Sequence, residues 1–287
     1  MLPCAGWIVN TAPVLGEPDT MEAERTFLEY LRDISENSSP LDFYLVYDNL
    51  DRFFMGAWIT IEITFLSLFL GGLICIPLAI ARAYKTPFLN GPIWCFTYFF
   101  RGTPLLVQTY LFYFGLGQFE WVRESFMWGP VLSSAFWCVL IAFTLNTAAY
   151  TTEFLRGAIE TTPWGEIEAS KASGMTPWTR MRRIVLPSAF RRSLPAYSNE
   201  VIFMIHGSVV ASTVTLQDLL GVGRWLNGRY YLAYEGFITA MLFYMCIVLV
   251  ISKLFKYSEN RWLGHLRQRD VERDGNNSDE SGLIAIR

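Results

Sequence analysis

The sequence predicts an all-α protein, a polytopic membrane helix bundle with about five transmembrane helices and a two-helix loop on its cytoplasmic side. Three observations lead to this prediction. Apolar residues make up 52% of the 287 residues and charged residues only 17%, against about 25% charged in an average soluble protein. Long uncharged runs recur along the chain, and basic residues concentrate in the connections between alternate runs. This composition excludes a disordered chain and argues against an ordinary soluble enzyme.

Residues 1–50 are predicted to form a polar, acidic N-terminal extension on the periplasmic side. Residues 1–55 hold ten acidic and three basic residues, and residues 22–34 have the spacing of a short surface helix. Residues 1–20 contain no basic residue and no sustained apolar core, so they lack the usual secretory pattern. The first membrane span is therefore expected to act as the insertion signal.

The membrane domain is predicted to occupy residues 51–258. Its first span has 25 residues with Glu62 as the only ionisable group, and at 1.5 Å per residue it reaches about 37 Å, enough to cross a hydrocarbon core of about 30 Å. The second span is interrupted by the run Arg101-Gly102-Thr103-Pro104. The five predicted spans cover about 57–81, 92–117, 132–152, 195–214 and 236–252.

The distribution of lysine and arginine predicts the orientation of the bundle. Sixteen basic residues lie on the inner side if the C-terminus is cytoplasmic, against six on the outer side. This asymmetry satisfies the positive-inside tendency. The N-terminus is thus expected in the periplasm, and residues 259–287 are expected to form a cytoplasmic tail, first basic and then disordered.

The loop between the third and fourth spans, residues 162–187, is predicted to contain two short capped helices. Thr162-Pro163 is typical of an N-cap followed by proline at the first helical position, with Glu166 in the opening turns. Gly174 supplies a left-handed stop for the first helix. Thr176-Pro177 repeats the capping signal, and the second helix is expected to end before Pro187.

The same loop resembles the EAA loop of bacterial ABC importer permeases. The family pattern is Glu-Ala-Ala, three residues, Gly, nine residues, then Ile-x-Leu-Pro, and every spacing matches, with Ser170 in place of the second alanine. In that family the loop is the coupling helix that sits in a cleft of the ATP-hydrolysing subunit. The open alternative is a merely structural amphipathic loop. The resemblance implies an ATPase-coupling role for Glu168, Ala169, Ser170, Gly174, Ile184, Leu186 and Pro187.

Other segments resemble one branch of this family. The runs 100–108, 146–159 and 195–202 are similar to segments of polar amino-acid permeases. The runs 206–210 and 260–263 look most like M-type subunits of histidine/basic amino-acid permeases and the related opine permeases. The similarity covers about residues 45–266. The first 40 or so residues are either an added domain, or translation starts at Met21 or later.

The resemblance implies a fold of the ABC importer type I permease and a subunit that moves polar, basic amino acids (histidine, lysine, arginine or ornithine-like) or opines by alternating access. The implied location is the bacterial inner membrane, with the bilayer as solvent. The implied partners are ATP-binding subunits, a homologous Q-type permease subunit or a second copy of this chain, and a periplasmic solute-binding protein. Nucleic acid is not expected as a partner.

The residues themselves predict no catalytic centre in this chain. A P-loop requires a Gly-Lys pair, and all four lysines follow Tyr, Ser or Phe. ATP is therefore expected to be used by a partner subunit, with no cofactor bound by this chain. The five cysteines have no metal-like spacing, so no metal site is expected.

Several polar residues fall within or beside the predicted spans. Asn146, Tyr150 and Glu153 recur on one helical face, which either lines a substrate path or forms a hydrogen-bonded seam between helices. A carboxylate on such a path would attract a cationic or zwitterionic amino acid. The candidates for the substrate path are Arg101, Thr103, Asn146, Tyr150, Glu153, Glu200 and His206.

Alternatives remain open for the other candidates. Glu200 either contacts substrate or has a structural role, and His206 is either a bundle histidine or a ligand-binding group. Arg101 either gates the path or contacts a substrate carboxylate, or it pairs with Glu153 or with an acidic residue of a neighbouring subunit. Glu62 either snorkels to the interface or has a functional role.

A passive channel or an ion-coupled secondary carrier is the alternative function. It would share the polar groups in the membrane but has no need for a capped cytoplasmic docking element. An intramembrane hydrolase is disfavoured because the sequence contains only two histidines.

Overall fold

The computed structural model describes the backbone of residues 44–126 and 128–284, and the side chains of 45–126, 128, 129 and 131–261. All regular structure in these residues is helical. The α-helices are α1 (Tyr44–Asp48), α2 (Leu50–Ala83), α3 (Asn90–Gly102), α4 (Leu105–Tyr110), α5 (Glu120–Arg123), α6 (Ala135–Glu160), α7 (Trp164–Ala172), α8 (Pro177–Arg180), α9 (Leu186–Gly207), α10 (Leu219–Tyr230) and α11 (Ala233–Ile284). Wider π-helical turns cover Leu111–Gly115, Trp128–Leu132 and Met181–Val185, and 3-10 turns cover Leu116–Gln118 and Ser208–Val214. Of the expected N-terminal extension, residues 1–43 lie outside the described residues.

By length and apolar composition, three described helices can each cross a membrane: α2, α6 and the part of α11 up to Arg261. The segment Pro177–Val214 together with α10 meets the same criteria with a bend of 43°, as a broken fourth span or a re-entrant loop would. The expected second span is not one continuous helix. Thr103 and Pro104 are extended, so the chain breaks between α3 and α4, at the interruption that the sequence predicts.

Helix α6 is the central helix, in contact with α2, α3, α4 and α9. It packs most extensively on α2, where buried small residues recur at helical spacing. A Cβ at Gly71 would collide with Cγ2 of Thr147 and would lie 3.1 Å from the carbonyl oxygen of Thr144. Small residues allow helix backbones to approach closely in a membrane. The α2–α6 contact therefore depends on a residue without a side chain.

The fourth segment is longer than the sequence predicts. α8, the π turn and α9 follow one another without a loop, so the second helix of the loop does not end before Pro187, and α9 starts at Leu186 rather than Pro195. Pro187 lies in the first turn of α9, directly after the π turn, where the regular i→i−4 hydrogen-bond pattern is already interrupted. The helical run ends at Thr215, which has a left-handed φ of 67°.

Two further elements differ from the sequence-based expectation. α10 forms within residues 215–235, which were expected to be a connection on the outer side. α11 continues as a helix to Ile284, where a disordered tail was expected. No proline follows Ala233, and the many Lys, Arg and Glu residues after the apolar part are good helix formers.

An apolar cluster underlies the 162–187 loop. It joins Cys75 and Ala79 of α2 to the last turns of α6, the π turn and the start of α9. The cluster contains buried Leu155, Ala158, Ile159, Met181, Val185 and Ala189. The two helices that flank the loop are thus packed together directly beneath it.

Candidate functional site

The 162–187 loop begins with α7, one residue later than predicted. Pro163 is the N-cap residue and Trp164 begins the helix, whereas the hydroxyl of Thr162 donates a hydrogen bond back to the carbonyl of Ile159 at 2.8 Å. Thr162 therefore extends the end of α6 and does not cap α7. Glu166 lies in the first turn of α7 as predicted, where its charge complements the helix dipole.

The elbow at Gly174 has the hydrogen bonds of a Schellman motif. The Gly174 N–H donates to the carbonyl of Lys171 at 2.9 Å, and the Met175 N–H donates to the carbonyl of Ser170 at 3.1 Å. Gly174 has a φ of 71° and open space around its Cα. Glycine is required here by the left-handed backbone and not by crowding. The predicted stop is present at this residue.

The second half of the loop is capped as predicted. The Thr176 hydroxyl accepts a hydrogen bond from the Thr179 N–H at 3.3 Å, and Pro177 occupies the first turn of α8. The predicted coupling residues divide by exposure: Ser170 is buried, Ile184 and Leu186 are half-buried, and Glu168, Ala169, Gly174 and Pro187 are exposed. The exposed residues form a surface that a partner can contact.

The break between α3 and α4 is braced by two amides. The Gln108 side chain donates to the carbonyls of Phe100 and Thr103 and to the Thr103 hydroxyl, at 2.8, 3.0 and 2.8 Å. Asn146 donates to the Gln108 amide oxygen at 3.0 Å and to the Phe100 carbonyl at 3.2 Å. Lipid cannot satisfy carbonyls that a helix break sets free. Gln108, which is buried and was not a predicted site residue, satisfies them here.

Arg101 lies over the ring of Tyr150. Its guanidinium carbon is 5.3 Å from the ring centre, and the Tyr150 hydroxyl donates to the Arg101 carbonyl at 3.3 Å. The distance is within the range of a cation–π interaction. The suggested pairing of Arg101 with Glu153 within the chain is not what the structure shows, because Glu153 pairs with other arginines.

Glu153 is held in a polar network at the loop end of the bundle. Its carboxylate accepts hydrogen bonds from Arg156 at 2.8 Å, from Thr97 at 3.1 Å and from Arg82 at 3.3 Å. Its side chain is 10% exposed. Arg156 also bonds Glu160. The arrangement joins α2, α3 and α6, which fits the hydrogen-bonded seam better than a path-lining group.

Glu200 lies in a cavity of about 320 Å³ with Asn146 and Tyr150. Its buried carboxylate accepts a hydrogen bond from the Thr147 hydroxyl at 3.1 Å. Leu105, Phe203 and Met204 complete the lining. An apolar cavity with a few convergent polar groups, one of them acidic, is typical of a small-ligand site.

The seven path candidates therefore separate into distinct places. Asn146, Tyr150 and Glu200 line one cavity. Thr103 bonds Gln108 at the break between α3 and α4, and Arg101 lies over the ring of Tyr150. Glu153 belongs to the ion-pair network. His206 is exposed and lines a separate apolar pocket between α9 and α11.

Comparison with known proteins identifies the family. Residues 73–264 match the family described as binding-protein-dependent transport system inner membrane component, which is more than half of the chain. The chain belongs to this permease family. The permease is thus a multi-pass protein of the inner membrane and a transporter subunit, not an enzyme, and ATP hydrolysis in such an importer is performed by a partner ATPase.

Two curated relatives are similar over most of their length. The permease is 43% identical over 216 residues to the "Histidine/lysine/arginine/ornithine transport system permease protein HisM" of Salmonella typhimurium, covering 75% of this chain and 92% of the relative. It is 39% identical over 220 residues to the "Octopine transport system permease protein OccM" of Rhizobium radiobacter, covering 77% and 89%. The expected likeness to M-type amino-acid and opine permeases is confirmed.

Solved structures agree on the fold. A crystal structure of an amino acid ABC transporter with histidines superposes with a TM-score of 0.68 at 29% identity, covering 77% of this chain and 99% of the other. An inward-facing methionine transporter, MetNI, gives 0.56 at 20% identity, covering 74% and 94%, and shows the fold alone. The permease has the all-α fold of ABC importer type I permeases, and the passive-channel or secondary-carrier alternative is not favoured.

Two residues important to this site were missed by the sequence reasoning. Gln108 lies within a family-like segment, but nothing in its spacing shows that it braces the break. Arg192 was counted only as a positive charge, although its guanidinium bonds Ala158 and Thr162 across the loop. The Gln108 contacts depend on the break between α3 and α4, and the Arg192 contacts join residues that are distant in sequence. Helical periodicity reveals neither.

Proposed function

We propose that the permease moves basic amino acids or related opines, and that the Glu200 cavity is part of the substrate path. The observation that carries this proposal is a buried carboxylate lining a small cavity together with an amide and a phenol hydroxyl. A carboxylate there favours a ligand with a cationic group. The N–H groups of Asn146 and the hydroxyl hydrogen of Tyr150 are donated to protein oxygens, so these side chains offer the ligand their oxygens as acceptors. The names of the two relatives, which transport histidine, lysine, arginine and ornithine or octopine, support the same substrate class.

The 162–187 loop is proposed as the contact with the ATPase. Its exposed face contains Glu168 and Ala169 on α7, and its elbow is fixed by the Gly174 cap. Exposed Trp164 and Trp178 on the two short helices add large apolar surface. ATP-driven closure of the ATPase subunits would displace this rigid element and tilt the attached helices, which gives alternating access to the cavity.

The partners are proposed from the same family membership. A homologous Q-type subunit or a second copy of this chain would complete the membrane path, and a periplasmic solute-binding protein would deliver the substrate. The basic residues of the loop and of the chain after Ser252 support placing both of these parts in the cytoplasm, with the N-terminus in the periplasm.

The test is reconstitution of the permease with its partner subunits in proteoliposomes and measurement of ATP-driven uptake of L-arginine, L-histidine and L-glutamate. We expect uptake of the two basic amino acids that is sensitive to vanadate. Glu200→Gln keeps the shape of the side chain but removes the charge. It should weaken apparent arginine affinity about tenfold, the loss that accompanies one charge-assisted hydrogen bond.

Glu62→Gln is the matched control. Glu62 is also an acidic residue within a predicted span, but its side chain is exposed and does not line this cavity. It should leave arginine uptake unchanged. Uptake without ATP would contradict the importer function. An equal effect of both substitutions, or preferential uptake of glutamate, would contradict the assignment of the Glu200 cavity.

A further inference from the structure

Arg192 of α9 contacts the residues at which the 162–187 loop begins. Its Nη2 donates to the Thr162 hydroxyl at 2.8 Å, at the first residue of the loop, and to the Ala158 carbonyl at 2.7 Å. Its Nη1 donates to the hydroxyl of Ser188, one turn earlier in α9 itself, at 2.6 Å, which orients the guanidinium. One guanidinium of α9 thus binds the end of α6.

The surroundings of this contact favour a cation that donates hydrogen bonds, even though burial also leaves the Nε of Arg192 without a hydrogen-bond partner among the described residues. Ala158 is in the last turn of α6, where carbonyls lack partners within the helix and the helix dipole favours a cation. Thr162 is buried and Arg192 is half-buried, so water competes weakly for these groups. The carboxylate of Glu166 in α7 adds an electrostatic attraction to the guanidinium.

The neighbouring Arg191 provides a contrast. It is exposed, carries the same charge and is adjacent in the chain. The positive-inside distribution requires only that basic residues lie in this region. That distribution does not explain the contacts of Arg192. Its planar guanidinium has donors arranged so that they reach three acceptors at once.

We propose that Arg192 is a positioning residue for ATPase coupling, because it closes the 162–187 loop into one rigid lever attached to α6 and α9 together. This inference rests on the proposed coupling role of the loop. A push on the elbow at Gly174 then moves both helices. Without the guanidinium, only the apolar cluster holds the end of α6 against α9, and part of the displacement is lost before it reaches the bundle.

The experiment uses the complete transporter in proteoliposomes and measures the number of L-arginine molecules imported per ATP hydrolysed. Arg192→Met should lower this ratio about tenfold, the size expected when a charge-assisted hydrogen bond is lost, while the ATPase still co-purifies. Thr162→Val, which keeps the shape of the side chain, should lower the ratio in the same direction. The double variant should be no worse than Arg192→Met alone, because the two substitutions remove a shared contact. Arg191→Met is the control and should leave the ratio unchanged.

An unchanged ratio in both Arg192→Met and Thr162→Val would overturn the proposal, as would additive losses in the double variant. Loss of ATPase binding in Thr162→Val, with Arg191→Met normal, would also overturn it, because the contact would then serve docking and not transmission. The wild-type transporter tests the proposed function separately. ATP-independent uptake by the wild type would contradict that function whatever the variants do.

Discussion

At the scale of single residues, the loop depends on a few backbone and side-chain requirements that are local in sequence. Gly174 adopts a φ of 71°, and the Schellman hydrogen bonds fix where α7 ends. The Thr176 cap then fixes where α8 begins. Together they set the angle between two short helices that have little burial of their own. The direction in which the loop presents Glu168 and Ala169 therefore follows from the conformation of one residue.

The Gly174 elbow gives the first prediction. Gly174→Ala should reduce ATP-driven uptake strongly without preventing membrane insertion, because a left-handed conformation costs a residue with a Cβ about 1–2 kcal/mol. Open space surrounds the position, so steric overlap is not the cause. Uptake in proteoliposomes and membrane insertion of the expressed protein are the measurements.

Gly165→Ala is the control for the elbow, since it adds the same methyl group to a helical glycine of α7 that also has open space. Alanine is the better helix former, so Gly165→Ala should leave uptake intact. Equal uptake by the two variants would argue against a role for the left-handed elbow.

At the scale of elements, the bundle is organised by close helix contacts and by one broken helix. The chain between α3 and α4 is extended at Thr103 and Pro104, and amides from α4 and α6 satisfy the freed carbonyls. The α2–α6 contact excludes side-chain atoms at Gly71. α6 also contacts α4 and α9, the other two elements that line the Glu200 cavity.

The α2–α6 contact gives the second prediction. Gly71→Ala should lower the free energy of unfolding by about 1–3 kcal/mol, the usual effect of overpacking, because the added Cβ overlaps Thr147 and approaches the Thr144 carbonyl. Thermal unfolding of the purified protein in detergent measures the change.

Gly72→Ala tests whether the effect comes from the contact and not from changing a helical glycine. Gly72 is the next residue of α2, and open space surrounds it. A small stabilisation or no change is expected there. A destabilisation as large as that of Gly71→Ala would show that backbone flexibility in α2, and not close packing, determines the stability.

The sequence predicted the elements that are governed by local rules. The Gly174 stop, the Thr176 cap and the break before Pro104 each follow from residue types within a few positions. The extension of α9 back to Leu186 was missed because proline usually ends a helix, whereas here a π turn precedes Pro187 and places it in a first turn. α10 was missed because three glycines weaken its helical pattern. The helix forms because Asp218 caps it and Leu219, Val222 and Leu226 are buried against neighbouring elements.

The candidate site was less predictable than the elements. Asn146, Tyr150 and Glu200 were predicted as candidates and do share a cavity. Glu153 and His206 were selected by the same reasoning but lie elsewhere, because helical periodicity identifies a face without identifying the neighbour opposite it. The Arg82–Glu153 pair and the contacts of Arg192 with Ala158 and Thr162 join residues about 30 to 70 positions apart, beyond the reach of any local pattern.

At the scale of the whole molecule, the described helices form one compact unit that begins at Tyr44. The family match begins at residue 73, and the HisM relative matches over 92% of its own length while using only 75% of this chain. The features argued to matter for transport, namely the loop, the Glu200 cavity and the Arg192 contacts, all lie between residues 97 and 207. We therefore expect transport function to be concentrated in the part of the chain that relatives share.

This distribution gives the last prediction, which concerns residues 1–40. A variant that lacks residues 2–40 should insert in the inner membrane and retain ATP-driven arginine uptake close to that of the full chain. The first span, with its 25 residues and one acidic group, is expected to act as the insertion signal, and every contact described for the loop and cavity is made by later residues. Uptake per inserted molecule is the measurement, and a variant that also carries Gly174→Ala serves as the inactive reference. A deletion variant that inserts normally but no longer responds to the solute-binding protein would instead assign residues 1–40 to substrate delivery, and the concentration of function in the shared bundle would be incorrect.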